Sequence, residues 1–348
     1  MQFWHKKKVF IAGGAGFIGH HLMDHLINLG ACVTVGDNLS TGDINNVLKV
    51  WNKFKLRYKK TKFGFQTAEN HKFLKVDFKS FKDTIESLYG HEIVFHLAAN
   101  FGGRGYINTH PADCCENFSI NQNIISASSQ IGIERLQFAS SACVYPFDLQ
   151  KNYNSKYLLN EKDAFNHQWA NADQEYGWSK LMGELTLKVY FAQYNLKSSI
   201  TRYVTAYGPG ENDTHAIIAL IRRAIDKQDP YLVWGSGKQD RDFTYVEDII
   251  TGTILACEHI TNAEAVNLGT SKRYKLSEVV EIIFDLLNWR PQKIIFDQTK
   301  PEGVKTRALD IKKARKILKW QPKYDLRHGL LKTIKWFLAE RPSRVETL

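Results

Sequence analysis

The sequence predicts an α/β protein: a doubly wound parallel sheet with helices on both faces and a smaller α/β lobe toward the C-terminus. Two observations carry this expectation. Over the first two-thirds of the chain, short β-rich apolar runs alternate with amphipathic segments, the pattern of strands joined by helical crossovers. The early runs are apolar throughout, as expected where helices cover both faces of a sheet. Strands are expected at Lys8–Ala12, Cys32–Gly36, Lys72–Val76, Ile93–Leu97, Leu136–Ser140 and Ser198–Tyr203. Helices are expected between them, including Gly16–Leu29, Ala112–Gln130 and Asp173–Tyr194. Later segments are shorter and mixed. A strand at Tyr231–Trp234 and a helix at Val246–His259 are expected to return to the large sheet.

Composition narrows the class. The chain has 348 residues, 43% hydrophobic and 24% charged, enough to bury a full core. No apolar run reaches the roughly 18 residues of a membrane span. The basic N-terminus is followed by a short apolar run broken by Gly13, Gly14 and Gly16, which does not read as a secretory signal. The five cysteines are odd in number and lack the spacing of a metal knuckle. Free thiols, no metal and a cytoplasmic location are therefore expected. The net charge of +11 is partly concentrated in 49–62, KVWNKFKLRYKKTK. That run reads as a solvated face, and no nucleic-acid-binding signature accompanies it. Neither nucleic acid nor membrane is an expected partner.

The first strand runs into Gly13-Gly14-Ala15-Gly16-Phe17-Ile18-Gly19. Glycines there permit a tight turn and let backbone N–H groups approach a pyrophosphate, and the following helix adds its dipole. The next strand ends in Asp37, about 20 residues on, where a carboxylate accepts both ribose hydroxyls and repels a 2′-phosphate. This predicts a Rossmann-type site for NAD rather than NADP. Asp77, after the third strand, is placed either near the adenine or as an exposed loop acid. Leu97, Ala98 and Ala99 end the fourth strand, their small side chains leaving room for a cofactor across the sheet. His96 reads as a packed residue. Residues 1–204 with about 231–262 are expected to form the NAD-binding domain, and 205–230 with 263–348 the substrate-binding lobe.

Tyr176 and Lys180, in YGWSK, are four residues apart on an expected helix and so share a face. A lysine cation beside a phenol favours the phenolate, which then accepts an alcohol proton. Ser141 stands at the carboxyl end of the fifth strand, facing the cofactor crevice, where a hydroxyl bonds the reacting alcohol.

From about Lys8 to Phe337 the chain resembles the extended short-chain dehydrogenases/reductases of the sugar-nucleotide epimerase and dehydratase group. The motifs are GGAGFIG, HLAAN, SSACVYP, YGWSK, YGPG, WGSGKQDRDFTYVED and PEGVKTRALD. The resemblance implies a Ser141–Tyr176–Lys180 catalytic set, a nucleotide-sugar substrate, and a diphosphate held by Arg241 and Arg307. Dehydratases of this group carry an Asp-Glu pair where this chain has Ala142 and Cys143. Ser-Ser-Ala-Cys-Val-Tyr-Pro and the loop Gly102-Gly103-Arg104-Gly105 instead resemble the GDP-mannose 3,5-epimerases. Thr214-His215-Ala216 before Leu220-Ile221-Arg222-Arg223 resembles the related GDP-fucose synthases, which places His215 as a second acid/base.

A thiol and an imidazole both titrate near neutral pH. Beside a C4 ketone they suit proton removal and return at C3 and C5. The expected activity is thus transient C4 oxidation with C3/C5 epimerisation of a nucleotide sugar, GDP-linked by resemblance. A 4-epimerase and a C4 dehydrogenase remain the alternatives. The resemblance also implies a homodimer formed through Ala112–Gln130 and Asp173–Tyr194. Thr205 departs from the family, many of whose members have an Asn there that contacts substrate phosphate.

Overall fold

The computed structural model describes residues 3–166, 171–212 and 215–344. Its largest sheet has nine strands, in the spatial order Asn262–Leu268, Ser198–Tyr203, Arg135–Ser141, Ile93–His96, Lys8–Ala12, Cys32–Asp37, Lys72–Lys75, Gly64–Thr67 and Tyr58–Thr61. The first seven run parallel. From Lys8–Ala12 the chain winds outward through Cys32–Asp37, then returns to the other side at Ile93–His96. The crevice where the winding reverses lies at the strands' carboxyl ends, and there such sheets bind ligands.

Alternation along the central strand explains the two layers. Val9 and Ile11 share a core with Leu22, Met23 and Leu26 of the helix Phe17–Asn28. Phe10 and Ala12 point the other way, into a core with Ile120 and Ile124 of Pro111–Gln130 and Leu187 of Gln174–Tyr194. Successive side chains of a strand face opposite sides, so each apolar run supplies both cores.

One expected strand lies elsewhere. Tyr231–Trp234 does not rejoin the large sheet; it pairs in parallel with Ile294–Asp297 in a separate two-stranded sheet. The reason is local packing: Tyr231 is fully buried, edge-on to Phe284 at 4.8 Å and near Trp289 at 6.4 Å. The strand that returns is Asn262–Leu268, beside Ser198–Tyr203. The helix Val246–His259 does lie against the sheet, with Ile250 and Ile254 in the core of Val9 and Ile11. Two further small sheets, Tyr274–Lys275/Asp240–Arg241/Thr306–Arg307 and Thr244–Tyr245/Ala206–Tyr207, carry the later chain over the crevice.

The basic run resolves into two elements. Ile44–Lys53 is an amphipathic helix that buries Val47, Val50 and Trp51, and Lys53 pairs with Asp24 at 2.6 Å. Tyr58–Thr61 then forms an antiparallel hairpin with Gly64–Thr67 at the sheet edge. Lys59, Lys60 and Lys62 are exposed there, and lysines on an open edge discourage pairing with other chains. Among the described residues, no helix is long and apolar enough to cross a membrane.

Candidate active site

A cleft of about 1100 Å³ runs across the carboxyl ends of the large sheet and under the small sheets. Gly13, Gly16, Phe17, Ile18, Gly19, Asp37, Asp77, Leu97, Ala98 and Ala99 line one part. Gly103, Arg104, Ser141, Ala142, Cys143, Tyr176, Lys180, His215, Arg241 and Arg307 line the rest. Every site residue expected from the sequence thus borders one cavity.

The glycine loop is a cradle that side chains would fill. Gly13 has φ +79°, and a Cβ there would meet the Ala98 backbone nitrogen at 2.7 Å. A Cβ on Gly19 would meet the Gly13 carbonyl oxygen at 2.4 Å. Gly16 precedes the helix and offers no side-chain cap, so the first-turn amides are left for an anion. Asp37 is buried, and its carboxylate accepts from Ala15 N at 3.0 Å and Leu39 N at 2.8 Å. It ties the loop to the second strand while bordering the cleft. Burial pushes its carboxyl above the ordinary range, against those two backbone bonds. The Asp77 side chain is 45% exposed and accepts from Lys79 N at 3.0 Å. His96 is fully buried and bonded to Asn121 at 2.9 Å, a packed residue as expected.

The Tyr–Lys helix is pinned to the end of the strand Arg135–Ser141. Ser141 ends that strand, and its hydroxyl accepts from Cys143 N at 3.1 Å, capping a single 3-10 turn. Asp173 N donates to the Cys143 carbonyl at 2.8 Å. Gly177 allows this approach, because a Cβ there would lie 2.3 Å from that carbonyl oxygen. Tyr176 and Lys180 both turn inward and are buried, with Lys180 Nζ 5.7 Å from the Tyr176 ring centre. Burial raises the Tyr176 phenol, aided by Cys143 and Cys114, and burial lowers Lys180 to about 7. Desolvation penalises both charged forms more than the pair repays.

Beneath them lies a buried ionic network. Glu184, from the same helix, pairs with Arg202 at 2.6 Å and accepts from Ser140 Oγ. Arg202 also donates to Tyr145 Oη at 3.0 Å, and Tyr145 donates to Asn267 at 2.6 Å. The network ties three neighbouring strands together directly under Ser141.

Three arginines border the substrate side. Arg307 reaches Cys143 Sγ at 3.3 Å, Asp173 at 2.7 Å and Gln150 with its remaining nitrogen. Arg104 donates to both Asp173 oxygens, at 3.0 and 2.6 Å. Burial opposes ionisation of Asp173, but Arg307 and Arg104 outweigh it and hold the carboxyl well below the usual range. Arg241 is held by the carbonyls of Asp240, Glu302 and Val304, and burial, with Arg307 and Arg104 nearby, lowers it to about 9. A cluster this rich in cation attracts a polyanion.

His215 stands just before the helix Ala216–Ile225, its ring nitrogen 2.8 Å from Glu211. The Phe101 ring lies 5.5 Å from His215 and 4.4 Å from Tyr176. Burial disfavours the imidazolium, yet the Glu211 bond and charge raise the His215 pKa. Sequence reasoning missed Phe101, Gln150, Asp173 and Glu211. Only Glu211 left a local signal, the Glu-x-x-x-His spacing.

Fold and glycine loop together define a dinucleotide-dependent enzyme of the Rossmann type. Residues 9–269 match the NAD dependent epimerase/dehydratase family, and the chain belongs to it. It is 29% identical to the GDP-mannose 3,5-epimerase 1 of Oryza sativa over 96% of this chain and 83% of that one. It is 30% identical to a putative UDP-glucose 4-epimerase of Methanocaldococcus jannaschii, over 94% of this chain and 97% of the other. The UDP-glucose 4-epimerase of Thermotoga maritima, solved with UDP-glucose, superposes with a TM-score of 0.80 at 25% identity. That match covers 96% of this chain and 99% of the other. NAD is the cofactor of this family, and the glycine cradle with Asp37 fits it: open first-turn amides for the pyrophosphate and a carboxylate for the ribose.

Proposed function

We propose that the chain is a nucleotide-sugar epimerase that inverts C3, C5 or both through a transient C4 ketone, on a GDP-linked hexose or heptose. Gly13, Gly16, Gly19 and Asp37 would hold NAD, with Lys180 on its ribose. NAD, when bound, would supply the acceptor for the C4 hydride and its return. Ser141 orients the C4 hydroxyl and Tyr176 takes its proton. Once C4 is a ketone, the neighbouring C–H protons are acidic, and Cys143 and His215 act as the base and acid of inversion. One removes the proton and the other supplies one to the opposite face, so the product differs only in stereochemistry. Arg104, Arg241 and Arg307 meet the diphosphate end, and Asp173 is the internal anion whose contacts the substrate shares. We assign residues 1–204 to the NAD side, together with 246–268 in place of the expected 231–262, and the remaining chain to the substrate lobe.

One observation carries the reading. Cys143 packs against Tyr176, Tyr176 lies on Phe101, and Phe101 touches His215. The thiol and the imidazole are therefore at opposite ends of a line of contacts with Tyr176 and Phe101 between them. In D₂O, the NAD-loaded enzyme with a GDP-hexose is expected to place deuterium at C3 or C5. Turnover without exchange defeats this assignment. A 4-epimerase is the second reading, favoured by the 4-epimerase names among the relatives. UDP-sugar turnover that survives Cys143→Ala would establish it.

We also propose a homodimer. Trp178, Met182, Leu185 and Val189 are all exposed on the outer face of Gln174–Tyr194, and Phe118 is exposed on the neighbouring Pro111–Gln130. Their spacing of four, three and four residues forms one apolar stripe.

A further inference from the structure

We infer that Glu211 is the positioning residue of His215: it grips one ring nitrogen so that the imidazole is aimed at the sugar cleft. The inference rests on the acid/base reading of His215 given above. Several independent features lead to it.

His215 sits at the N-cap position of Ala216–Ile225, in extended conformation with φ −86° and ψ 146°, but its side chain does not cap that helix. The ring is instead drawn back toward Glu211 across one turn. Two backbone bonds fix that turn: Glu211 N to Gly208 O at 3.3 Å, and His215 N to Asn212 O at 3.2 Å. The contact that remains is between Nδ1 and Glu211 Oε1 at 2.8 Å. With Nδ1 engaged, Nε2 is the nitrogen left for chemistry. This is the arrangement by which a carboxylate selects one tautomer and one orientation of an imidazole.

Glu211 is not placed as a surface acid would be. It is only 3% exposed, and it borders the cleft itself. Among the described residues its second oxygen, Oε2, is buried without a hydrogen-bond partner. A buried carboxylate with one side-chain partner directs its charge onto that partner. Among the described residues, the ring packed on His215 is that of Phe101, and behind it Gln174–Tyr194 presents Tyr176. A helix N-terminus on its own disfavours an imidazolium, and the carboxylate offsets that effect. Burial raises Glu211 as well, against the His215 bond and charge that lower it.

The test uses the NAD-loaded enzyme with ¹⁵N-labelled histidine, the His215 signals being assigned by subtraction with His215→Asn. In the wild type, Nδ1 should be protonated and the ring should titrate above an ordinary histidine. In Glu211→Gln the apparent pKa should fall by about one unit or more, because the hydrogen bond survives but the charge does not. In Glu211→Ala the preference for Nδ1–H should also disappear, and Glu211→Asp should restore part of both. With a GDP-hexose in D₂O, deuterium uptake at C3 or C5 should drop about tenfold in Glu211→Gln and about a hundredfold in Glu211→Ala. The alkaline limb of its pH profile should move down with the ring's pKa, and the transient NADH absorbance from C4 oxidation should stay. An unmoved His215 titration in both variants overturns the inference. So does loss of exchange and of NADH absorbance together with a lowered melting temperature, the signature of a structural role. If His215→Ala itself leaves exchange intact, the acid/base reading fails first. The ¹⁵N titration then still reports separately on whether Glu211 controls the ring.

Discussion

Arg307 touches the sulfur of Cys143 at 3.3 Å while its other terminal nitrogen holds Asp173 at 2.7 Å. The planar guanidinium thus joins the thiol just past the strand Arg135–Ser141 to the acid at the head of the Tyr–Lys helix. Cys143 and Asp173 in turn raise the Arg307 pKa against its burial, so its charge is permanent.

That geometry predicts the effect of Arg307→Lys. Lysine keeps the charge but loses the fork that reaches Cys143, Asp173 and Gln150 at once. The sulfur then loses the guanidinium that lies against it and shields it, so alkylation of Cys143 by iodoacetamide should quicken about tenfold. Peptide mass spectrometry over a time course measures this site by site. Equal rates in the two proteins would show that the contact has no bearing on the thiol.

Lys180 predicts a pH-dependent stability. In protein freed of NAD, burial lowers it from 10.5 to about 7. The folded state therefore binds fewer protons than the unfolded chain between those values, and stability rises with pH across the window. Below pH 7 the penalty of a buried ammonium is fully present; above 10.5 it is gone. Lys180→Met should accordingly be more stable than wild type by up to about 4 kcal/mol at pH 6. The margin should shrink steadily toward pH 10. Melting temperatures of both proteins at pH 6, 8 and 9.5 decide it, and a pH-independent margin would contradict the assignment.

The parts of the molecule that were legible in the sequence are those whose physics is local. The glycine loop announces itself because strand, turn and helix follow one another within Lys8–Asn28. Tyr176 and Lys180 are legible because four residues make one turn. Asp173 was read only as the start of a helix, since its meaning depends on Arg307, 134 residues away. Phe101 joins Tyr176 to His215 from a loop that carries no periodic pattern. Tyr231–Trp234 has the apolar composition of a central strand, and only its aromatic neighbours Phe284 and Trp289 reveal the other sheet. The edge hairpin was hidden for a related reason: Tyr58 to Lys62 reads as solvated charge, which is the composition an unpaired edge requires.

The glycine cradle predicts how cofactor retention responds to single methyl groups. Gly13→Ala meets two obstacles, a φ of +79° and the Ala98 backbone nitrogen at 2.7 Å from the added carbon. Gly19→Ala meets the Gly13 carbonyl oxygen at 2.4 Å, which moves the loop away from the helix. Gly132, at φ +72° with nothing within 4 Å of its Cβ, provides the control for conformational strain alone. NAD released from purified protein by acid and assayed enzymatically should fall at least about tenfold in the first two variants and hold in the third. Retention of NAD by Gly13→Ala would mean that the loop is not the pyrophosphate cradle.

The apolar stripe on Gln174–Tyr194 predicts the response of the proposed dimer. Leu185 and Val189 are 40% and 49% exposed, whereas Tyr176, Lys180 and Leu187 of the same helix are buried. A helix with one face in the core and a second apolar face outside has an unburied surface to satisfy. Placing lysines on that second face at Leu185 and Val189 would set two like charges against their symmetry mates across a two-fold axis. The double variant Leu185→Lys/Val189→Lys should therefore run as a monomer by light scattering at micromolar concentration, where the wild type runs as a dimer. Because Tyr176 and Lys180 lie on the helix's inner, buried face, away from the stripe, the monomer should still take up NAD. A wild-type protein that is itself monomeric would remove the dimer, and a double variant that remains dimeric would move the interface off this helix.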